Sequence, residues 1–208
     1  MRLLLARHGR TASNVAALLD TAPPGPELDP IGRAQAVALA ERISGQRIGG
    51  VYTSDLVRAV QTGVPAVRAF GVPHRELPQL REVGAGEDEM SPDLQRYVMA
   101  LRSWGEGDHG VRIPGGEDGA EFLERFGAGI RRIAEAGHEA ALVISHGAAI
   151  RAWAGFVMPS VHVILGPRGL PNTTVIVADG DPDSGWTLRG IDFPAPDPED
   201  GFAALGRR

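Results

Sequence analysis

The sequence predicts an α/β layer fold, and three observations carry that prediction. Apolar runs of strand length alternate with segments of helical period, as expected where helices pack on a sheet. The run at residues 141–145, ALVIS, is apolar throughout, which suits a strand buried on both faces. With 208 residues and 43% hydrophobic composition, the chain can close one sizeable core. Residues 1–193 are therefore read as a single domain, and residues 194–208, rich in Pro, Asp and Gly, as a flexible tail.

Taken in order, residues 3–6 form the first apolar run and predict a strand. The stretch DTAPPGPELD (20–29) is a proline-rich loop. A helix follows over 28–43, with Asp29 as N-cap and Pro30 at the first helical position. Residues 50–53 predict a second strand, and residues 54–70 a helix that Gly63 and Pro65 break or kink. Leu94, Tyr97, Val98, Leu101 and Trp104 fall at helical spacing between two glycine-rich stretches, as a separate flap over a site would. Phe122, Phe126, Ile130 and Ile133 mark a longer amphipathic helix before the ALVIS strand. Two late runs, NTTVIVA from Asn172 and WTLRGID from Trp186, flank the turn-rich DGDPDSG and predict an antiparallel hairpin.

Composition excludes several functions. A net charge of −5 and a pI near 5.7 show no bulk footprint for a nucleic-acid backbone, so any anion site must be local. Cysteine is absent, which removes disulfides, thiolate metal sites and a cysteine nucleophile. Lysine is absent too, so all 21 basic residues are arginine and neither Schiff-base chemistry nor a P-loop lysine is available. Residues 1–6 are too short for a signal-peptide core, and no apolar run reaches membrane-spanning length, which makes a soluble cytoplasmic protein the expectation.

The chemistry gathers at strand ends. In an α/β sheet, ligand-binding side chains collect at the carboxyl ends of the strands. Arg7 and His8 end the first strand, while His146 and Gly147 end the ALVIS strand. If those strands are neighbours, an arginine and two histidines converge on one rim, a repulsive cluster that a phosphate would neutralise.

The ordered motifs resemble those of the histidine phosphatase superfamily, also called phosphoglycerate mutase-like. An Arg-His-Gly follows the first strand as Arg7, His8 and Gly9, with Arg10, Thr11 and Asn14 after it. The helix-start pattern appears as DPIGRAQA with Gly32 and Gln35, and TSDLVRAVQT supplies Ser54, Arg58, Ala59 and Thr62. An acidic motif appears as Leu80, Glu82 and Gly86, a Gly-Gly-Glu at Gly115, Gly116 and Glu117, and a Ser-His-Gly at Ser145, His146 and Gly147. The set spans residues 3 to about 178 in the family's order.

The resemblance implies a three-layer α/β/α sandwich with a mostly parallel central sheet and a small inserted helical flap near residues 83–117. It also implies hydrolysis of small-molecule phosphate monoesters through a phosphohistidine on His8, with no metal and no other cofactor. Arg7, Arg58 and His146 would hold the transferring phosphoryl group, because guanidinium forks match phosphate oxygens. Gly9, Thr11, Asn14 and Gly147 would be lesser phosphate contacts. Glu82 would act first as general acid and then as general base. A bound phosphate would raise its pKa, and the arginines would lower that of His8.

Where the family carries an aromatic after the acidic motif's glycine, this chain has Asp88 within Glu87, Asp88 and Glu89. Those three are alternative acids to Glu82, and their charge at the pocket mouth would favour a cationic or weakly charged leaving group. Glu117 is either a charge at a helix start or a residue that positions the site. His74, His109, His138 and His162 match no family position and read as loop or surface residues, with His109 able to reach the mouth from the flap. Phe122, Phe126 and Trp153 read as packing. Two other readings stand beside the phosphatase: a cofactor-dependent phosphoglycerate mutase, against which the absence of lysine argues, and a catalytically silent phospho-ligand binder. The partner expected is a small phosphate ester, with neither nucleic acid nor membrane; a homodimer through an edge strand is plausible.

Overall fold

The computed structural model describes residues 1–166 and 169–196, so most of the expected tail lies outside the described residues. Six strands form one sheet: β1 (Arg2–Arg7), β2 (Ile48–Thr53), β3 (His74–Glu76), β4 (Ala140–Ser145), β5 (Val175–Asp181) and β6 (Gly185–Asp192). Their spatial order is β3-β2-β4-β1-β5-β6. The first three contacts in that order are parallel and the last two antiparallel, so the sheet is mostly parallel as expected. β1 and β4 are direct neighbours, with Arg7 in register with Ser145, which meets the condition for a shared rim.

Alternation along β1 sends side chains to both faces. Leu3 and Leu5, with Ala141 and Val143 of β4, join Phe122, Phe126, Ile130 and Trp153 in one apolar cluster. Leu4 and Ala6, with Leu142 and Ile144, join Leu39, Ala40, Ala59 and Ala66 in another. The second face is covered by α2 (Pro30–Arg42) and α3 (Val57–Phe70), and the first by α4 (Gln95–Gly105), α5 (Gly119–Ala134) and α6 (Gly147–Val157), with α7 (Ser160–Leu165) packed on α6. A one-turn α1 (Ala12–Val15) follows β1. Phe122 and Phe126 are fully buried, and truncating such a ring to alanine costs on the order of 3–5 kcal/mol.

The N-cap expected for α2 is present, with the Asp29 carboxylate accepting the Gly32 amide at 2.7 Å. The expected break in α3 is not: the helix runs unbroken through Gly63 and Pro65. Gly63 serves packing, because a Cβ there would stand 2.9 Å from Thr53 Cγ2 and 3.3 Å from Val51 Cγ1. Burial of the Ala59 and Ala66 face against the sheet offsets the cost of a mid-helix proline. Asn172, Thr173 and Thr174 precede β5 instead of forming its start, and Asp181 closes the β5–β6 turn by accepting the Asp183 and Ser184 amides at 2.9 and 2.8 Å.

The segment around 83–117 departs most from expectation. Tyr97, Ala100 and Trp104 of α4 are buried in the core cluster, and Trp104 stacks on Phe122 at 5.8 Å. Its middle is thus part of the helical layer, and only its two ends reach the site. Strand β3, short and polar, had no apolar run to announce it. Among the described residues no helix is long and apolar enough to cross a membrane.

Candidate active site

The β1 end places His8 in the rim, where its main-chain amide donates to Ser145 O at 2.9 Å. Its Nδ1 lies 2.7 Å from the Gly9 carbonyl, an oxygen that can only accept, so the proton sits on Nδ1 and the Nε2 lone pair is left outward. Arg58 Nε donates to that Nε2 at 3.2 Å. Burial, reinforced by Arg58 and Arg7, holds the His8 pKa well below its ordinary value. A neutral, buried imidazole whose Nε2 lone pair lies among arginines is a nucleophile prepared for an anion.

Arg58 reaches the rim from the first turn of α3 and donates Nη2 to Asp20 O at 2.9 Å, while its Nη1 is buried without a hydrogen-bond partner among the described residues. Arg7 donates Nη1 to the Leu170 carbonyl. His146, the N-cap residue of α6, is fully buried with neither ring nitrogen hydrogen-bonded among the described residues, and its ring lies 5.1 Å from that of His8. Burial, then Arg58, His8 and Arg7, hold its pKa well below the ordinary histidine value. Leaving buried polar groups unmatched is costly. Arg58 Nη1 and the protonated nitrogen of the neutral His146 ring therefore mark where an anion's oxygens belong.

Glu82 meets this rim from the loop after β3. Its carboxylate accepts three amides: Val83 at 2.9 Å, Ala149 at 2.7 Å and Ala148 at 3.2 Å, the last two from the first turn of α6. Burial raises its pKa, and it prevails over the opposing amides and Arg58. Enclosure by protein thus raises the pKa of Glu82 without any ligand. The alternative acids are engaged elsewhere: Asp88 pairs with Arg96, Glu87 is exposed, and Glu89 binds the proline-rich loop.

The lesser phosphate candidates also have structural roles. The Gly9 amide donates to Thr62 Oγ1 at 2.9 Å, and a Cβ at Gly9 would meet Gly32 O at 2.6 Å, so this glycine permits close contact with α2. Thr11 is the N-cap of α1, in a capping box with Asn14. Gly147 gives room to Arg7, whose Nε would lie 3.3 Å from a Cβ there. Asn172 is the residue that sequence reasoning missed: its Nδ2 donates to His8 O at 2.9 Å and to Asn14 Oδ1 at 3.2 Å. Its position at the start of a predicted strand was the available signal.

A cavity of about 590 Å³ opens beside the rim, lined by Glu82, Thr21, Pro23, Gln79, Arg81, Glu89, Glu117 and Arg125 among others. Glu117 precedes α5 and binds Arg125 through both oxygens. His109 lines a second cavity instead of this mouth, with His162 in the same wall, while His74 stands on β3 with Nε2 3.0 Å from Thr53 Oγ1. His138 packs against the backbone of Gly49 and Gly50.

The proline-rich loop closes over Arg58. Glu89 accepts the Thr21 and Ala22 amides at 2.7 and 3.0 Å and the Thr21 hydroxyl, and that hydroxyl oxygen accepts the Ala85 amide at 2.9 Å. Gly25 sits so near Arg58 that a Cβ would lie 2.3 Å from Nη1. Charged-acceptor bonds of this kind contribute about 1.5–3 kcal/mol each. Glu89→Ala is expected to speed amide hydrogen exchange at Thr21 and Ala22 by at least about tenfold; unchanged protection would show that the latch is not what holds the loop.

The two depressed histidines of the rim set a stability trend, in the same sense as His162, which burial also lowers. Between the ordinary histidine pKa of about 6.5 and the depressed folded values, the unfolded chain binds protons that the folded chain refuses. Stability is then expected to fall on acidification below about pH 6.5, by up to about 1.4 kcal/mol per pH unit per histidine. Glu82, shifted upward, acts in the opposite sense as one group against three. Urea titrations at pH 7 and 5.5 check this, and added inorganic phosphate should shrink the difference; equal midpoints would contradict it.

The description "Histidine phosphatase superfamily (branch 1)" matches residues 3–192. A PE-PGRS family protein of Mycobacterium tuberculosis is 32% identical over 202 residues, which cover 88% of this chain but only 35% of that protein, so the chain spans about a third of it. A probable phosphoglycerate mutase of Yersinia enterocolitica is 33% identical over 156 residues, covering 72% of this chain and 71% of that one. Among solved structures, a mycobacterial glucosyl-3-phosphoglycerate phosphatase superposes with TM-score 0.74 at 27% identity over 90% of this chain and 96% of its own. The α-ribazole phosphatase of Shigella flexneri does so with TM-score 0.72 at 26% identity over 95% and 100%. With the rim of Arg7, His8, Arg58 and His146 assembled on the expected sheet, the chain belongs to the histidine phosphatase superfamily.

Proposed function

We propose that the chain is a metal-independent phosphatase of small-molecule phosphate monoesters. The observation that carries this reading is the His8 tautomer: an Nε2 lone pair directed at a buried cluster with unmatched donors. His8 Nε2 attacks phosphorus while the P–O bond to the leaving group breaks, and the Glu82 proton passes to that oxygen. Arg7, Arg58 and His146 hold the equatorial oxygens through the transition state, where electrostatic stabilisation supplies most of the rate. Glu82, now ionised, takes a proton from water as that water attacks phosphorus; the P–N bond breaks and the electron pair returns to Nε2. Phosphatases among the structural neighbours support the reading. The single-domain reading, with the ends of the 83–117 segment bordering the leaving group, belongs to the same proposal.

The test is release of phosphate from p-nitrophenyl phosphate in excess EDTA, together with trapping of the phosphoenzyme. Release that resists the chelator, through an acid-labile and alkali-stable adduct on His8, is expected. An acid-stable adduct, or complete inhibition by EDTA, would overturn the mechanism.

A further inference from the structure

The phosphate rim and the leaving-group cavity differ in one respect that decides what can bind. At the rim, Arg58 Nη1 and both His146 nitrogens have no hydrogen-bond partner among the described residues. In the cavity, the two arginines are already committed. Arg125 donates Nε and Nη2 to the Glu117 carboxylate at 3.0 and 2.6 Å, and Nη1 to the carbonyls of Gln79 and Arg81 at 2.8 and 3.2 Å. Its Nη2 also reaches Glu82 O at 3.3 Å, which accounts for all five guanidinium N–H groups.

Arg81 pairs with Asp55 through Nε at 2.7 Å and Nη2 at 2.5 Å, a bidentate ion pair at the cavity's edge. Glu89 has no cationic partner among the described residues and holds its loop through amides and a hydroxyl. The cavity wall thus carries two arginines, each matched by a carboxylate, and a further pair of glutamates, Glu82 and Glu89. Asp88 and Glu87, the acids first suspected at the mouth, are not the cause, since both lie against Arg96.

Resting on the phosphatase reading above, we infer that this cavity selects phosphate esters whose alcohol carries no second anion. A carboxylate or second phosphate entering it would find Arg125 fully engaged and the charge of Arg81 matched by Asp55, and would face Glu89 and Glu117 in a partly desolvated space, where like charges repel strongly. At about 590 Å³ the cavity is large enough for a polyol or nucleoside. Uncharged or cationic alcohols fit; acidic ones are rejected.

Matched esters test this. Glycerol 3-phosphate and 3-phosphoglycerate differ only in a hydroxymethyl against a carboxylate, and phosphoethanolamine and phosphoserine differ by one carboxylate. Each is assayed for kcat/KM and as a competitor of p-nitrophenyl phosphate hydrolysis. The member without the carboxylate is expected to be favoured by at least about tenfold in both pairs. Asp55→Asn and Glu117→Gln, which each release an arginine by a separate route, are expected to bring the ratio toward unity. Equal or greater preference for the carboxylate members in wild type would overturn the inference while p-nitrophenyl phosphate turnover keeps the phosphatase reading. Loss of that turnover in wild type would overturn both.

Discussion

His8→Ala is expected to lower kcat/KM for p-nitrophenyl phosphate by about three orders of magnitude or more, because residues that act as one nucleophilic unit lose nearly everything together. The ring's Nε2 is the atom to which Arg58 Nε donates at 3.2 Å, and its Nδ1 proton is held by Gly9 O, so the substitution removes the lone pair that this arrangement directs at the anion. Inorganic phosphate should still bind the variant, since Arg7, Arg58 and His146 remain. Calorimetric titration with phosphate beside the kinetic assay separates the two effects. A loss under tenfold would mean that water, not His8, attacks phosphorus; loss of phosphate binding together with a collapsed melting transition would point to unfolding, and His8→Gln, closer in size and polarity, then repeats the test.

Glu82→Gln is expected to lower kcat/KM for alkyl esters by roughly 10² to 10⁴, the usual contribution of a positioned general acid, and for p-nitrophenyl phosphate by less than about tenfold. The nitrophenolate departs without a proton, whereas an alkoxide does not. Protein encloses the Glu82 carboxyl and raises its pKa, so in wild type the alkyl-ester rate should fall on the alkaline side as this group ionises. Depression of the His8 pKa puts the acid limb below the ordinary histidine range. In the variant the alkaline limb should disappear for alkyl esters. Equal losses on both ester types would remove Glu82 from the acid role.

How much of this was legible beforehand depended on the kind of contact. Arg7, His8 and His146 could be placed because each follows directly on an apolar run, and a parallel sheet brings the carboxyl ends of neighbouring strands together. The Asp29 cap was equally local, a three-residue relation written in the chain. Asn172 was not legible: its bonds to His8 O and Asn14 Oδ1 join residues 164 and 158 positions apart, and no periodicity encodes such a meeting. The 83–117 segment was misjudged for a related reason. Helical spacing reveals an apolar face but not what covers it, and here the covering is Phe122 and the core.

By itself, then, the sequence determined the strand ends, the helix periods and the types of side chain available, all of which follow from neighbours within a few residues. Only the tertiary structure decided the approach of Arg58 to His8 Nε2, the capture of Glu82 by the α6 amides, and the pairing of Arg81 with Asp55 at the cavity's edge. Those outcomes are competitions between donors and acceptors brought together from distant parts of the chain. The winner is set by distance and burial, which exist only once the layers have packed.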